Sequence, residues 1–280
     1  MNALQVCLWI LAAVCAVVWV TSLITYEHSW VDRIWSIIPI PYVAVFAAFA
    51  HFRDVRLDVM LGLVVLWGAR LTFNFARKGG YRPGGEDYRW QVLRDRMPKW
   101  QFQLFNLFFI TIYQNVLLPL ITLPVYTALK HRGGFGLLDV LATVVFLVLL
   151  AGETVADQQQ WNFHAWKRAE VTAGRVPDPQ FNQAGLWRFS RHPNFFCEQS
   201  QWWVLFFFGA IAAGSVLQPT VVGAVLLSLL FLGSARFTES ITLSKYPAYA
   251  DYQATTSMQI PWFPKEAPTT EAPSTEVSTA

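Results

Sequence analysis

Three clusters of ionisable and amide side chains interrupt an otherwise apolar chain of 280 residues. In the first, Glu153 and Asp157 stand four residues apart and share one face of any helix that carries them. Two like charges there repel, unless a cation or a donor-rich group such as a ribose or an amide sits opposite. Asn194 and Glu198 repeat the spacing inside the run Arg191-His192-Pro193-Asn194-Phe195-Phe196-Cys197-Glu198. Pro193 suits the first position of a helix, because its fixed φ fits and the N–H it lacks would be unpaired there. The free N–H groups of that first turn, with Arg191 and His192 just ahead, make an anion site. Asn194 and Glu198 project from the same turns into the bundle interior, where a lone Glu must carry a proton or bind a partner. The third cluster runs from Arg236 through Tyr246-Pro247-Ala248-Tyr249-Ala250-Asp251-Tyr252 to Ile260-Pro261-Trp262. Its aromatics read either as an interfacial belt or, with Arg236, as a clamp for a phosphate and a flat ring.

Composition dictates the elements that position these groups. The chain is 54% hydrophobic and only 14% charged, with a mean hydropathy of +0.35; soluble domains carry roughly 25% charged residues, so lipid is the main solvent. Thirteen Trp, 22 Phe and nine Tyr suit anchoring at a membrane interface. Apolar runs predict spans at 3–24, 34–50, 59–75, 102–128, 135–156, 195–213 and 219–233. The first matches the roughly 30 Å hydrocarbon thickness and, with no basic residue before it, is expected to remain uncleaved. Pro39 and Pro41 should kink the second, and Pro119 and Pro124 should bend the fourth. The expected fold is therefore all-α, a polytopic membrane bundle of about seven transmembrane helices. With an external N-terminus, sixteen of the 21 basic residues fall on one side and four on the other, the positive-inside pattern of a cytosolic C-terminus. The Pro-, Thr- and Ser-rich segment 265–280 reads as a solvated, disordered tail.

Several chemistries lack their residues. The five histidines are scattered, so no metal site is expected. No G-x-G-x-x-G follows a strand, and the glycines of GGYRPGGEDYRW lack P-loop spacing and read as a flexible loop. Three cysteines without a C-x-x-C make thiol redox chemistry improbable on composition. Arg70, near the basic end of its span, is expected to snorkel to the interface. No nucleic-acid partner is expected.

The motifs resemble a known family. Glu153-x-x-x-Asp157, GLWRFSRHPNFFCE at 185–198, and Tyr246-Pro247-x-Tyr249-x-x-Tyr252 followed by Ile260-Pro261 are similar to the C-terminal domain of the steroid 5-alpha-reductase superfamily. The nearest likeness is to a broad branch grouped as a domain of unknown function. It covers about residues 150–264, and SWVDRIWSIIP, LWGARLTFNFARKGGY, GGEDYRW and FNLFFITIYQN extend it into the N-terminal half. The resemblance implies an endoplasmic-reticulum membrane enzyme that takes hydride from NADPH at the cytosolic face. The acceptor would be a carbon–carbon double bond conjugated to a carbonyl, in a steroid or other lipid. It further implies a substrate side at 1–130, a cofactor domain at 131–264, and Glu153, Asp157, Asn194, Glu198 and Arg236 as cofactor ligands.

Arg191, His192, Tyr246 and Tyr252 join that set from the clusters themselves. The steroid reductases polarise the substrate carbonyl with an N-terminal Glu and Tyr; no counterpart of that Glu is evident here. Conjugate reduction needs a proton donor, for which Asp32 and Tyr113 are candidates, although interface anchoring or packing would also explain them. Arg191-His192-Pro193 departs from the steroid enzymes and is similar to isoprenylcysteine and phospholipid methyltransferases, which bind S-adenosylmethionine. Three readings stay open: NADPH-dependent reduction, methyl transfer to a lipid or prenylated thiol, and a non-catalytic lipid-binding or scaffold protein.

Overall fold

Each apolar run becomes a helix in a computed structural model, which describes residues 1–266; most of the tail segment 265–280 lies outside the described residues. α1 (Ala3–Thr25) starts at Asn2, whose side chain accepts from the Gln5 N–H while the Gln5 side chain accepts from the Asn2 N–H, satisfying two donors that a helix start leaves free. The second run is broken as its prolines require, into α2 (Trp30–Trp35) and α3 (Pro39–Phe49). α4 (Val55–Arg77) is capped by Asp54. A short α5 (Tyr88–Arg96) leads to α6 (Lys99–Phe105), which passes through a π-helical stretch, Asn106–Tyr113, into α7 (Gln114–Lys130). α8 (Leu137–Thr172), α9 (Pro193–Ala213), α10 (Val221–Lys245) and α11 (Tyr249–Thr255) complete the order. No strand occurs among the described residues.

Among the described residues, six helical segments are long and apolar enough to cross a membrane. α9, the sixth run expected from sequence, has the length, 21 residues, but is not among them. Glu198, Gln199 and Gln201 lower its apolarity, and it tolerates them because α4, α7, α8 and α10 all pack against it. At 36 residues, α8 is about 54 Å long, so its C-terminal half outruns the hydrocarbon layer.

One core joins both halves of the chain. Tyr42, Phe46, Met60 and Trp67 pack with Leu118, Leu205, Phe208 and Leu227, and Trp67 meets Trp202 edge-on at 4.8 Å. Close helix approach depends on small residues, as is usual in membrane bundles. A Cβ on Gly223 of α10 would lie 2.3 Å from the Leu120 carbonyl oxygen of α7, and one on Gly209 of α9 would lie 2.7 Å from that of Pro124. At one end of the bundle, the buried Arg56 forks onto Asp139 with bonds of 2.6 and 2.9 Å, tying α4 to α8. At the other, Glu86 holds the approach to α5. It accepts from the His28 N–H at 2.6 Å and from Arg94 Nη2 at 2.6 Å, with the His28 ring 3.2 Å away. Burial opposes the charge of Glu86, but the His28 ring and N–H and the Arg94 guanidinium outweigh it and pull its pKa down to about 2.

Two measurements follow. In detergent-purified protein, Gly223→Val is expected to destabilise by about 1–3 kcal/mol through overpacking, whereas Gly233→Ala, with open space around it, should leave the melting point nearly unchanged. Because the folded pKa of Glu86 lies below its unfolded value, its contribution is complete above pH 4.5 and is lost as pH falls toward about 2. Glu86→Gln should therefore flatten the melting point against pH in that acid window; an unchanged slope would contradict the assignment.

Candidate functional site

The repulsion expected between Glu153 and Asp157 is answered from α4. Arg70 donates through Nη2 to Glu153 and, at 2.5 Å, through Nη1 to Asp157. Asp157 also accepts from Asn74 Nδ2 at 2.7 Å and Asn194 Nδ2 at 3.4 Å. The second oxygen of Glu153 accepts from Gln201 Nε2 at 2.7 Å. Snorkelling of Arg70 to the interface is thus corrected: its side chain is 11% exposed and turned inward, because two buried carboxylates reward a guanidinium more than solvent does. Glu198, less than one turn before Gln201 on α9, is buried beside this cluster and lines the neighbouring cavity.

Two cavities flank this cluster. The first, about 700 Å³, lies among the C-terminal half of α8, the segment 173–192, and the ends of α4 and α10. Its wall carries Arg77, Lys78, His164, Arg168, Arg191 and His192 against one carboxylate, Asp157. Glu239 of α10 engages two of these side chains. Arg191 forks onto it at 2.7 and 3.0 Å and also donates to the Gln253 carbonyl, while His192 Nε2 lies 3.0 Å from it. Arg77, by contrast, binds the neutral amides of Asn74 and Gln158. The Trp161 ring lies between the guanidinium groups of Arg77, at 4.9 Å, and Arg168, at 5.8 Å. Burial lowers the pKa of the Lys78 ammonium, an effect that Asp157 opposes.

The second cavity, about 530 Å³, is largely apolar and opens among α2, α4, α5, α9, α10 and the π-helical stretch. The i→i+5 winding of that stretch aligns Phe105, Phe109 and Tyr113 in one stack, with ring centres 4.8 and 5.4 Å apart; such π-helical turns recur at functional sites. Phe195 borders both cavities.

The candidate residues divide between these spaces. Asp157, Arg191, His192, Asn194 and Tyr252 line the basic cavity; Asp32, Tyr113 and Glu198 line the apolar one; Glu153 is buried in the Arg70 cluster. Arg236 is exposed on α10 and lines neither. Tyr246 also stands outside both, where its hydroxyl accepts from Lys167 at 3.0 Å. Sequence reasoning missed Arg70, Asn74, Arg77, Trp161, Gln201 and Glu239. Arg70 and Asn74 carried a usable signal, since their spacing of four mirrors that of the two acids they bind.

Comparison with known proteins adds to this geometry. The family described as "Protein of unknown function (DUF1295)" matches residues 18–256, across both cavities. An uncharacterised protein of Schizosaccharomyces pombe is 39% identical over 253 residues, which is 85% of this chain and 73% of the relative. No solved structure matches.

Removing the cation from the acid cluster gives a direct check. Arg70→Met strands two buried carboxylates and is expected to cost about 3–5 kcal/mol, read as a large fall in melting point. Arg236→Met, at an exposed position, should stay within about 0.5 kcal/mol; equal effects would deny the cluster its structural role.

Proposed function

The chain belongs to the DUF1295 family, and from that premise and the paired cavities we propose that it is an integral membrane reductase. The reaction we assign to it is NADPH-dependent saturation of a double bond conjugated to a carbonyl, in a steroid or another lipid. The observation that carries this reading is the meeting, at Phe195, of a basic cavity with an apolar one. A reduction of this kind needs such a pairing, because a phosphate-bearing cofactor and a lipid must meet at one wall while each keeps its own solvent.

The residues of the basic cavity fit the cofactor. Arg77 and Arg168, held over the Trp161 ring, offer cations for phosphates. Asn194 Oδ1 is buried without a hydrogen-bond partner and supplies an acceptor for an amide N–H. S-adenosylmethionine fits less well, since it carries no phosphate and its sulfonium is positive. The pair that suggested it, Arg191-His192, is already engaged by Glu239. When bound, NADPH supplies a hydride. The chain's own residues hold its phosphates, keep water from the apolar cavity and present an acid to the lipid. That cavity, at about 530 Å³, lies in the usual range for a ligand pocket of one small molecule. In this reading the basic end and the C-terminus face the cytosol, and the membrane is that of the endoplasmic reticulum.

Thermal unfolding in detergent with NADPH, with S-adenosylmethionine and with neither tests the assignment. A ligand at 100 times its Kd that binds only the folded state adds about 2.7 kcal/mol. NADPH is expected to raise the melting point, and the double variant Arg77→Ala/Arg168→Ala to lose that rise while keeping its unliganded value. A rise with S-adenosylmethionine alone would favour methyl transfer instead, and silence with both would favour a lipid-binding scaffold.

A further inference from the structure

We infer that Glu198 is the acid that protonates the lipid in the apolar cavity; this rests on the reductase reading above. Asn194 and Glu198 lie one turn apart on α9, and the family resemblance assigned both to the cofactor. The structure separates them across Phe195. Asn194 lines the basic cavity and Glu198 the apolar one.

Charge then decides the state of Glu198. Three carboxyls, Glu153, Asp157 and Glu198, face two cations: both terminal nitrogens of Arg70 are taken by the first two, and the Lys78 ammonium lies 4.0 Å from Asp157. Asn74, Asn194 and Gln201 add neutral donors to those same two acids. Glu198 itself is 7% exposed. The other charged groups bordering its cavity are occupied elsewhere: Arg89 donates to Asp87 at 2.8 Å and to Ser234 at 2.6 Å, and Asp32 accepts from the Trp90 indole at 2.8 Å. A third ionised carboxyl beside an apolar space would cost several kcal/mol. The cluster therefore keeps a proton, and Glu198 is its member open to the lipid.

The other candidates are held by neighbours in the protein: the Tyr113 hydroxyl donates to the Leu226 carbonyl at 3.3 Å, and one oxygen of Asp32 accepts from the Trp90 indole. In the reaction, the β-carbon of the enone gains a hydride from the reduced nicotinamide, and the π pair moves to the carbonyl oxygen as an enolate. The Glu198 O–H then delivers its proton to the α-carbon. The products are the saturated carbonyl compound, the oxidised nicotinamide and a Glu198 carboxylate, which regains a proton from solvent.

Infrared spectroscopy of the unliganded protein tests the proton without any cofactor. The wild type is expected to show a protonated-carboxyl C=O band that Glu198→Gln removes and Asp32→Asn leaves; a band that survives Glu198→Gln overturns the inference. Glu198→Gln should also keep the NADPH-induced rise in melting point while losing about 10²–10⁴-fold in turnover of an enone lipid. Loss of the NADPH rise in that variant makes Glu198 a cofactor ligand and equally overturns it. Should Glu198→Gln fail to fold, Glu198→Asp retains an acid, and a shifted band with partial turnover is the expected result; an unshifted band counts against the assignment. Absence of any NADPH rise in the wild type sinks the reductase reading and this proposal together, whereas a misplaced infrared band sinks this proposal alone.

Discussion

The ion pair that Arg70 makes with Glu153 and Asp157 is the constraint on which the centre of the molecule depends. A carboxylate on a helix in an apolar bundle has few options: it must be neutralised, paired or watered. Here α4 supplies the pairing, with Asn74 one turn below Arg70 as a second donor. That fixes α4 against α8 at a level where apolar packing alone would leave register loose. It also determines what α9 can carry. Gln201 completes Glu153, Asn194 reaches Asp157, and neither amide would be tolerated on a face turned to lipid.

A helix enclosed by protein follows a different composition rule from one enclosed by acyl chains. α9 shows this directly, because it is flanked by α4, α7, α8 and α10 and holds Glu198 and Gln201 among Trp202, Leu205 and Phe208. α8 shows it along its length. Its first half presents Leu138, Val144 and Val148 outward, while its second half, from Asp157 on, builds the wall of the basic cavity. One helix thus supplies an apolar anchor, two buried acids and a charged rim.

The spans were legible in the sequence because hydrocarbon thickness imposes a run length that few other structures need. Pro39 and Pro41 likewise marked the break between α2 and α3. Less was legible where partners lie far apart in the chain. Arg70 looked like an interface residue because its distance from the span end was visible and its two acids, more than 80 positions away, were not. Glu239 was passed over for the same reason, although it organises Arg191, His192 and Gln253. The π-helical stretch left no periodic signal, since its eight residues read as an ordinary apolar run. Arg236 and Tyr246 were drawn into the candidate site by sequence neighbourhood; on the folded helix, Arg236 points to the surface and Tyr246 serves Lys167.

The two long-range ion pairs between α4 and α8 differ in a way that bears on function. Arg56 and Asp139 are matched one to one through two bonds and are both buried. At the other end of the same two helices, Arg70 serves two acids and leaves a third, Glu198, beside it. A purely structural clasp would not benefit from the surplus acid, because each added buried carboxyl raises the electrostatic cost without adding a contact that Arg56 and Asp139 lack. Surplus charge at a boundary between a polar and an apolar cavity makes sense where a proton must be stored within reach of a ligand. The cluster also draws its cation from the N-terminal half and its acids from the C-terminal half. Neither half can therefore set the charge at the junction of the cavities without the other, and the family match across residues 18–256 spans both.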